Sequence, residues 1–122
     1  MLVITNKAIV NVILEHSPKT VLDVGCGKGW LSRELIKSNV ITLGVDVVPA
    51  FIESAQNKGS GIFKKLSFDD LASGVLKEKF DIIVCNFSLL GKESVTKLFC
   101  YVPHMLNSGG SFVVQTIHPI YG

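Results

Sequence analysis

Five short apolar runs divide this chain: Thr20–Val24, Val40–Val45, Ile62–Leu66, Phe80–Cys85 and Phe112–Ile117. Within the fourth, Ile82, Ile83 and Val84 follow one another without a polar break, the pattern of a strand buried on both faces. The segments between runs have helical spacing, such as Leu31, Leu35 and Ile36 after the first and Val95, Leu98, Phe99, Val102 and Leu106 before the last. Strands alternating with helices dictate a parallel sheet, because each parallel return needs a crossover long enough to hold a helix. Right-handed crossovers place those helices on both faces. The expectation is an α/β fold of three layers, α/β/α, around a parallel five-stranded sheet, in a single domain over 1–122.

Local signals set the boundaries. Thr5 is positioned to cap a first helix with Ala8, Ile9, Val12 and Ile13 inward, ending near Ser17-Pro18. Pro49 suits the first position of a helix running to about Asn57, which Gly59 and Gly61 end. Asp70 to Leu76 reads as a short helix, Ser94 to Leu106 as a longer one bent at Pro103, and Gly109-Gly110 as a turn. Sheets of this kind bind ligands beyond the carboxyl ends of their strands. The loops at that edge are 25–29, 46–49, 67–70, 86–91 and 117–120.

Composition narrows the partners. Lysines are scattered and Arg33 is the sole arginine at a net charge of +2, which points away from nucleic acid. No run approaches the ~18 apolar residues of a membrane span, and no cleavage site follows the apolar start, so no membrane association is expected. Cys26, Cys85 and Cys100 are odd in number and lack metal-ligand spacing, which argues for reduced thiols in the cytoplasm and no metal. With 48% apolar residues and a mean hydropathy of +0.44, the chain has apolar surface to bury elsewhere.

The segment Asp23-Val24-Gly25-Cys26-Gly27-Lys28-Gly29 joins the first strand to a helix, where glycines let the backbone turn sharply and approach a ligand. The following helix start offers N–H groups. Dinucleotide sites want a third glycine where this chain has Trp30, and the phosphate-loop pattern is absent. S-adenosylmethionine, with its ammonium, sulfonium, ribose and adenine, fits better. Asp23 suits the ammonium, and Asp46, ending the second strand 17 residues after Gly29, suits ribose hydroxyls.

The stretch Val21–Gly29 resembles motif I of the class I S-adenosylmethionine-dependent methyltransferases. Leu43-Gly44-Val45-Asp46 resembles their second-strand acidic motif, Phe80–Asn86 their fourth-strand motif, and Leu106–Val114 their entry into strand five. The resemblance implies a Rossmann-like sheet in the order 3-2-1-4-5. It also implies a helix and the antiparallel strands 6 and 7, which this chain lacks after strand five. By position, Gly25, Gly27 and Gly29, with Cys26 as spacer, would cradle the methionine moiety. Asp23 would orient the ammonium, Asp46 would hold the ribose, Val47 would pack on adenine, and Asp69 would meet the adenine amino group. S-adenosylhomocysteine would be the product.

Methyl transfer from a sulfonium needs mainly positioning, and a general base only when the acceptor keeps its proton. Asn86, at the end of strand four, is counted with both the cofactor and the acceptor sides, and His118, after strand five, is the candidate base. Where amino-directed nucleic-acid relatives carry prolines, this chain reads Asn86-Phe87-Ser88-Leu89. A small-molecule acceptor is therefore expected first and a protein second. Without further strands, strand five would be an open apolar edge, which implies a truncated domain, a homodimer or a partner chain. The alternatives are a methyltransferase-like binding or scaffolding subunit and, disfavoured by Trp30, a nicotinamide-dependent oxidoreductase.

Overall fold

The computed structural model describes residues 2–5, 8–87 and 92–116, with side chains at 2–5, 86–87, 92–95 and 115–116 left aside. Six strands form one sheet: β1 Leu2–Thr5, β2 Thr20–Val24, β3 Ile41–Asp46, β4 Ile62–Lys65, β5 Phe80–Phe87 and β6 Leu106–Thr116. The helices are α1 Ile9–Glu15, α2 Trp30–Ile36, α3 Pro49–Asn57, α4 Phe68–Ala72 and α5 Lys92–Tyr101, the last followed by a 3₁₀ turn, Val102–Met105.

The strand order is β1-β6-β5-β2-β3-β4, and every neighbouring pair is parallel. Counted from β2, the last five strands stand in the expected order 3-2-1-4-5. The chain leaves β2 for β3 and β4, then returns to β5 on the other side of β2. The switch point, where such sheets open a crevice, therefore lies between the carboxyl ends of β2 and β5.

Two clusters of buried side chains cover the two faces. One joins Leu22, Val24, Leu43, Val45, Ile83 and Cys85 to Leu71 of α4, Leu98 of α5, and Val102 and Met105 of the turn. The other joins Val21, Ile82, Val84 and Val113 to Ile9 and Ile13 of α1 and Leu31 and Leu35 of α2. Alternation along β5 sends Ile82 and Val84 one way and Ile83 and Cys85 the other, all essentially inaccessible. Full burial of one such aliphatic side chain stabilises by about 1.5–3 kcal/mol.

Five expectations are corrected. Thr5 ends β1 rather than capping α1, whose N-cap is Ala8 and makes no side-chain bond. β1 pairs in parallel with β6, Leu2 beside Val113 and Thr5 beside Thr116. Strand five is therefore not an open edge; the outer edge on that side is β1 itself. Gly109-Gly110 does not separate a turn from a later strand, because β6 already starts at Leu106 and continues through the pair. Phe80 pairs with Leu106 and Ile82 with Ser111, two residues against five, so β6 bulges by three residues there. Pro103 ends α5 earlier than its apolar spacing suggests and tightens the chain into the 3₁₀ turn. The short helix after β4 sits at Phe68–Ala72, fixed by a capping box between Ser67 and Asp70.

Candidate functional site at the carboxyl edge

The loop after β2 is held by the two residues that end β3. The N–H groups of Gly25 and Cys26 both donate to the Val45 carbonyl, at 2.8 and 2.9 Å. Gly27 N–H donates to Asp46 Oδ2 at 2.8 Å, and Val48 N–H donates to Asp46 Oδ1 at 3.0 Å. Gly29 N–H donates to the Cys26 carbonyl at 3.0 Å. Four loop amides are thus satisfied within the protein. The donor cradle that a glycine loop lends to phosphates is not offered by these groups.

Asp46 bridges two of the loops at this edge, 25–29 and 46–49. Each carboxylate oxygen accepts one amide and retains a further lone pair, so the group can hold the loop and still accept from hydroxyls. Above it, Gly27 has φ +57°, in the left-handed region, and a Cβ there would meet nothing within 4 Å. The loop therefore passes under open space at Gly27. Gly29 differs: a Cβ there would lie 2.8 Å from the Phe63 ring.

Asp23 is fully buried, beside Gly44 of β3 and Val84 of β5 in register, and Ser32 Oγ–H reaches its Oδ2 at 3.5 Å. Burial and then the charge of Asp23 push the Cys85 thiol up to about 12. The Cys26 thiol is pushed up further, by burial and then by the charges of Asp23 and Asp46. Both sulfurs stay protonated, so neither is a nucleophile. Cys26 turns its side chain into a small cluster with Ile52, Ala55 and Phe63 and serves the loop as an anchor.

Val47 (58% exposed) and Trp30 (44% exposed) present apolar surface where β3 ends and α2 begins. Asp69 and Asp70 are both exposed, but their roles separate. Asp70 accepts from Ser67 N–H at 2.9 Å, which holds its carboxyl below the usual range, and its own N–H donates to Ser67 Oγ. Asp69 lies beside it in the first turn of α4 without a part in that cap. The Asn86 backbone lies one residue from the carboxyl end of β5, in register with Gln115. His118, Ser88 and Leu89 lie outside the described residues.

The structure thus joins Gly25, Cys26, Gly27 and Asp46 in one bonded unit, with Asp23 buried at the root of the same loop. Sequence reasoning missed Phe63 and its dependence on Gly44. The available signal was a glycine inside a strand, which marks close approach by another group.

Known proteins resemble this chain in sequence and in fold. Residues 15–119 match the family described as a methyltransferase domain. The ubiquinone biosynthesis O-methyltransferase of Coxiella burnetii is 30% identical over 103 residues, 82% of this chain and 44% of that protein. Malonyl-[acyl-carrier protein] O-methyltransferase 1 of Ilyobacter polytropus is 30% identical over 112 residues, 85% of this chain and 41% of that protein. The solved structure of PKMT2 from Rickettsia typhi in complex with AdoHcy superposes with a TM-score of 0.66 at 30% identity, covering 80% of this chain and 21% of that one. The chain spans less than half the length of the curated relatives it matches.

Proposed function

Since the chain belongs to the methyltransferase-domain family, we propose that it binds S-adenosylmethionine at the β2–β5 crevice and transfers a methyl group to a small-molecule acceptor. The observation that carries this reading is the bond from Gly27 N–H to Asp46, made beneath open space at Gly27. It fixes the loop backbone at Gly27 against a carboxylate, with open space in front.

The residues fit this cofactor. The bound cofactor supplies a methyl group already activated on a sulfonium. Asp46 accepts the ribose hydroxyls with the lone pairs its amides leave. Asp23 orients the ammonium at the root of the loop. Gly25 and Gly27 admit the methionine chain close to the backbone, while Gly29 makes way for Phe63 at the end of the loop and Cys26 holds it from below. Val47 packs against the adenine, and Asp69 accepts from its amino group. A dinucleotide pyrophosphate would find four loop amides engaged and two carboxyl groups nearby, which weighs against a nicotinamide site.

Asn86, at the end of β5, lies where the acceptor approaches, and His118 is the candidate base for an acceptor that arrives protonated. Two relatives bear the name O-methyltransferase, so a small-molecule oxygen acceptor is the first class to screen. The test is calorimetric titration with S-adenosylhomocysteine, beside a Gly27→Arg variant whose fold is checked by circular dichroism. Binding by the parent and loss in the variant are expected, because the new side chain occupies the open space at Gly27. A folded parent that does not bind, or a variant that binds equally, overturns the reading.

A further inference from the structure

We infer that Phe63, on the edge strand β4, is a positioning residue for the glycine loop. The inference deepens the cofactor reading and rests on it for the ligand, while the loop contacts stand independently. β4 buries one side chain only: Ile62, Lys64 and Lys65 are exposed, whereas Phe63 is 4% exposed. Its ring lies among three glycines. A Cβ at Gly44 would come within 2.7 Å of Phe63 Cδ1, at Gly29 within 2.8 Å of Cε1 and Cζ, and at Gly61 within 3.0 Å of Cε2. The first is a residue of β3, the second ends the ligand loop and caps α2, and the third precedes β4.

The same ring packs with Cys26, the loop's own buried side chain, together with Ile52 and Ala55 of α3. This cluster is separate from the two that fill the faces of the sheet. A hydrogen bond from Gln56 Nε2 to the Phe63 carbonyl, 3.2 Å, ties β4 back to α3. The underside of the loop therefore rests on a unit made of α3 and an edge strand rather than on the main core. Phe63 is the member of that unit that touches both the middle of the loop, through Cys26, and its end, at Gly29. Removing ring volume lets the loop sink; adding a methyl at Gly44 drives the ring toward it.

Amide hydrogen exchange on the full chain tests this without any ligand, reading Gly27 and Gly29 against the amides of the β2–β5 ladder. In Phe63→Leu the loop amides should exchange about tenfold faster relative to the ladder, since the loss is local rather than global. S-adenosylhomocysteine affinity should fall by a similar factor. Gly44→Ala in the parent should loosen the same amides. In a Phe63→Val background, where the δ carbons are gone, the alanine should add clearly less, the remainder coming from its 3.1 Å approach to Cys26 Cβ; the difference between backgrounds is the mark of direct coupling. Loop amides that keep their protection in Phe63→Leu, amides that change uniformly along the chain, or a Gly44→Ala effect equal in both backgrounds would each overturn the role. If the parent fails to bind S-adenosylhomocysteine while the loop amides respond as described, the cofactor reading falls and the role of Phe63 stands.

Discussion

The two ends of the sheet are each pinned by an aspartate, with different results. At the carboxyl edge Asp46 accepts from Gly27 and Val48 amides. At the amino edge Asp81 accepts from Lys19 and Thr20 amides at 2.8 and 3.3 Å and from Asn107 Nδ2 at 2.9 Å, while its own N–H donates to Thr20 Oγ1 at 3.1 Å. Asp81 thereby ties the starts of β2, β5 and β6. What differs is the space in front. A Cβ at Gly27 would meet nothing, whereas one at Gly110, beside Asp81, would strike the Asp81 and Asn107 carbonyls at 2.8 and 2.9 Å. The same bonding device packs Gly110 tightly at one end and leaves Gly27 free at the other, although Asp81 and Gly109 also line a small cleft at the amino edge.

The widest separation should come from removing each carboxylate. Asp46→Ala should weaken S-adenosylhomocysteine binding by about 100-fold, since it deletes two charge-assisted acceptors at roughly tenfold per 1.4 kcal/mol. Asp81→Ala should leave that affinity unchanged. Calorimetry on both variants decides, and an affinity loss in Asp81→Ala comparable to that in Asp46→Ala would erase the distinction.

Next in size is the effect of a single methyl. Gly110→Ala should destabilise the fold by about 1–3 kcal/mol, because two backbone carbonyls cannot yield as a side chain would. Gly27→Ala should cost only the left-handed backbone, about 1 kcal/mol. Urea unfolding of the pair measures the difference, and equal losses would show that the space at Gly110 is not limiting.

Asp81→Asn should lower stability by about 1–2 kcal/mol, the value of hydrogen bonds to a charged acceptor near the surface. The smallest effect is its pH dependence. The Asn107 amide, then the Lys19 and Thr20 N–H groups, hold the Asp81 carboxyl below its usual range. As acid is added, the unfolded chain takes up that proton before the folded one does. The contribution is therefore present above the ordinary aspartate value of about 3.9 and fades as the pH falls below it. The stability gap between the parent and Asp81→Asn should be level at neutral pH and narrow below about pH 4. A gap that widens toward acid would contradict the assignment.

Legibility followed the range of the interactions. From β2 through α2, β3 and α3 the boundaries could be read because the signals are local: buried runs, the glycine loop, and Pro49 at the first helical position. β1 could not be read. Three apolar residues and a threonine fit a strand or a helix approach equally, and their partner lies at the far end of the sequence. The glycine pair at 109–110 signals a turn by composition, but β6 is paired with β5 on one side and β1 on the other, and the sheet absorbs it as a bulge. In the site, the glycines and Asp46 were visible as types at a spacing. That Asp46 would hold Gly27, that Asp70 rather than Asp69 would form the cap, and that Gly44 would make way for Phe63 are facts of packing between elements.

The pairing of Leu2 with Val113 also imposes an order of assembly. On a ribosome that adds roughly 5–20 residues per second, the first strand must wait several seconds before the strand it joins has been made. Through that interval its backbone has no partner of its own sheet, while β2, β3 and β4 can already pair with one another. Contacts of such long separation form late and slow the overall reaction. Of the described strands β1 is thus the first to be made and among the last to be seated.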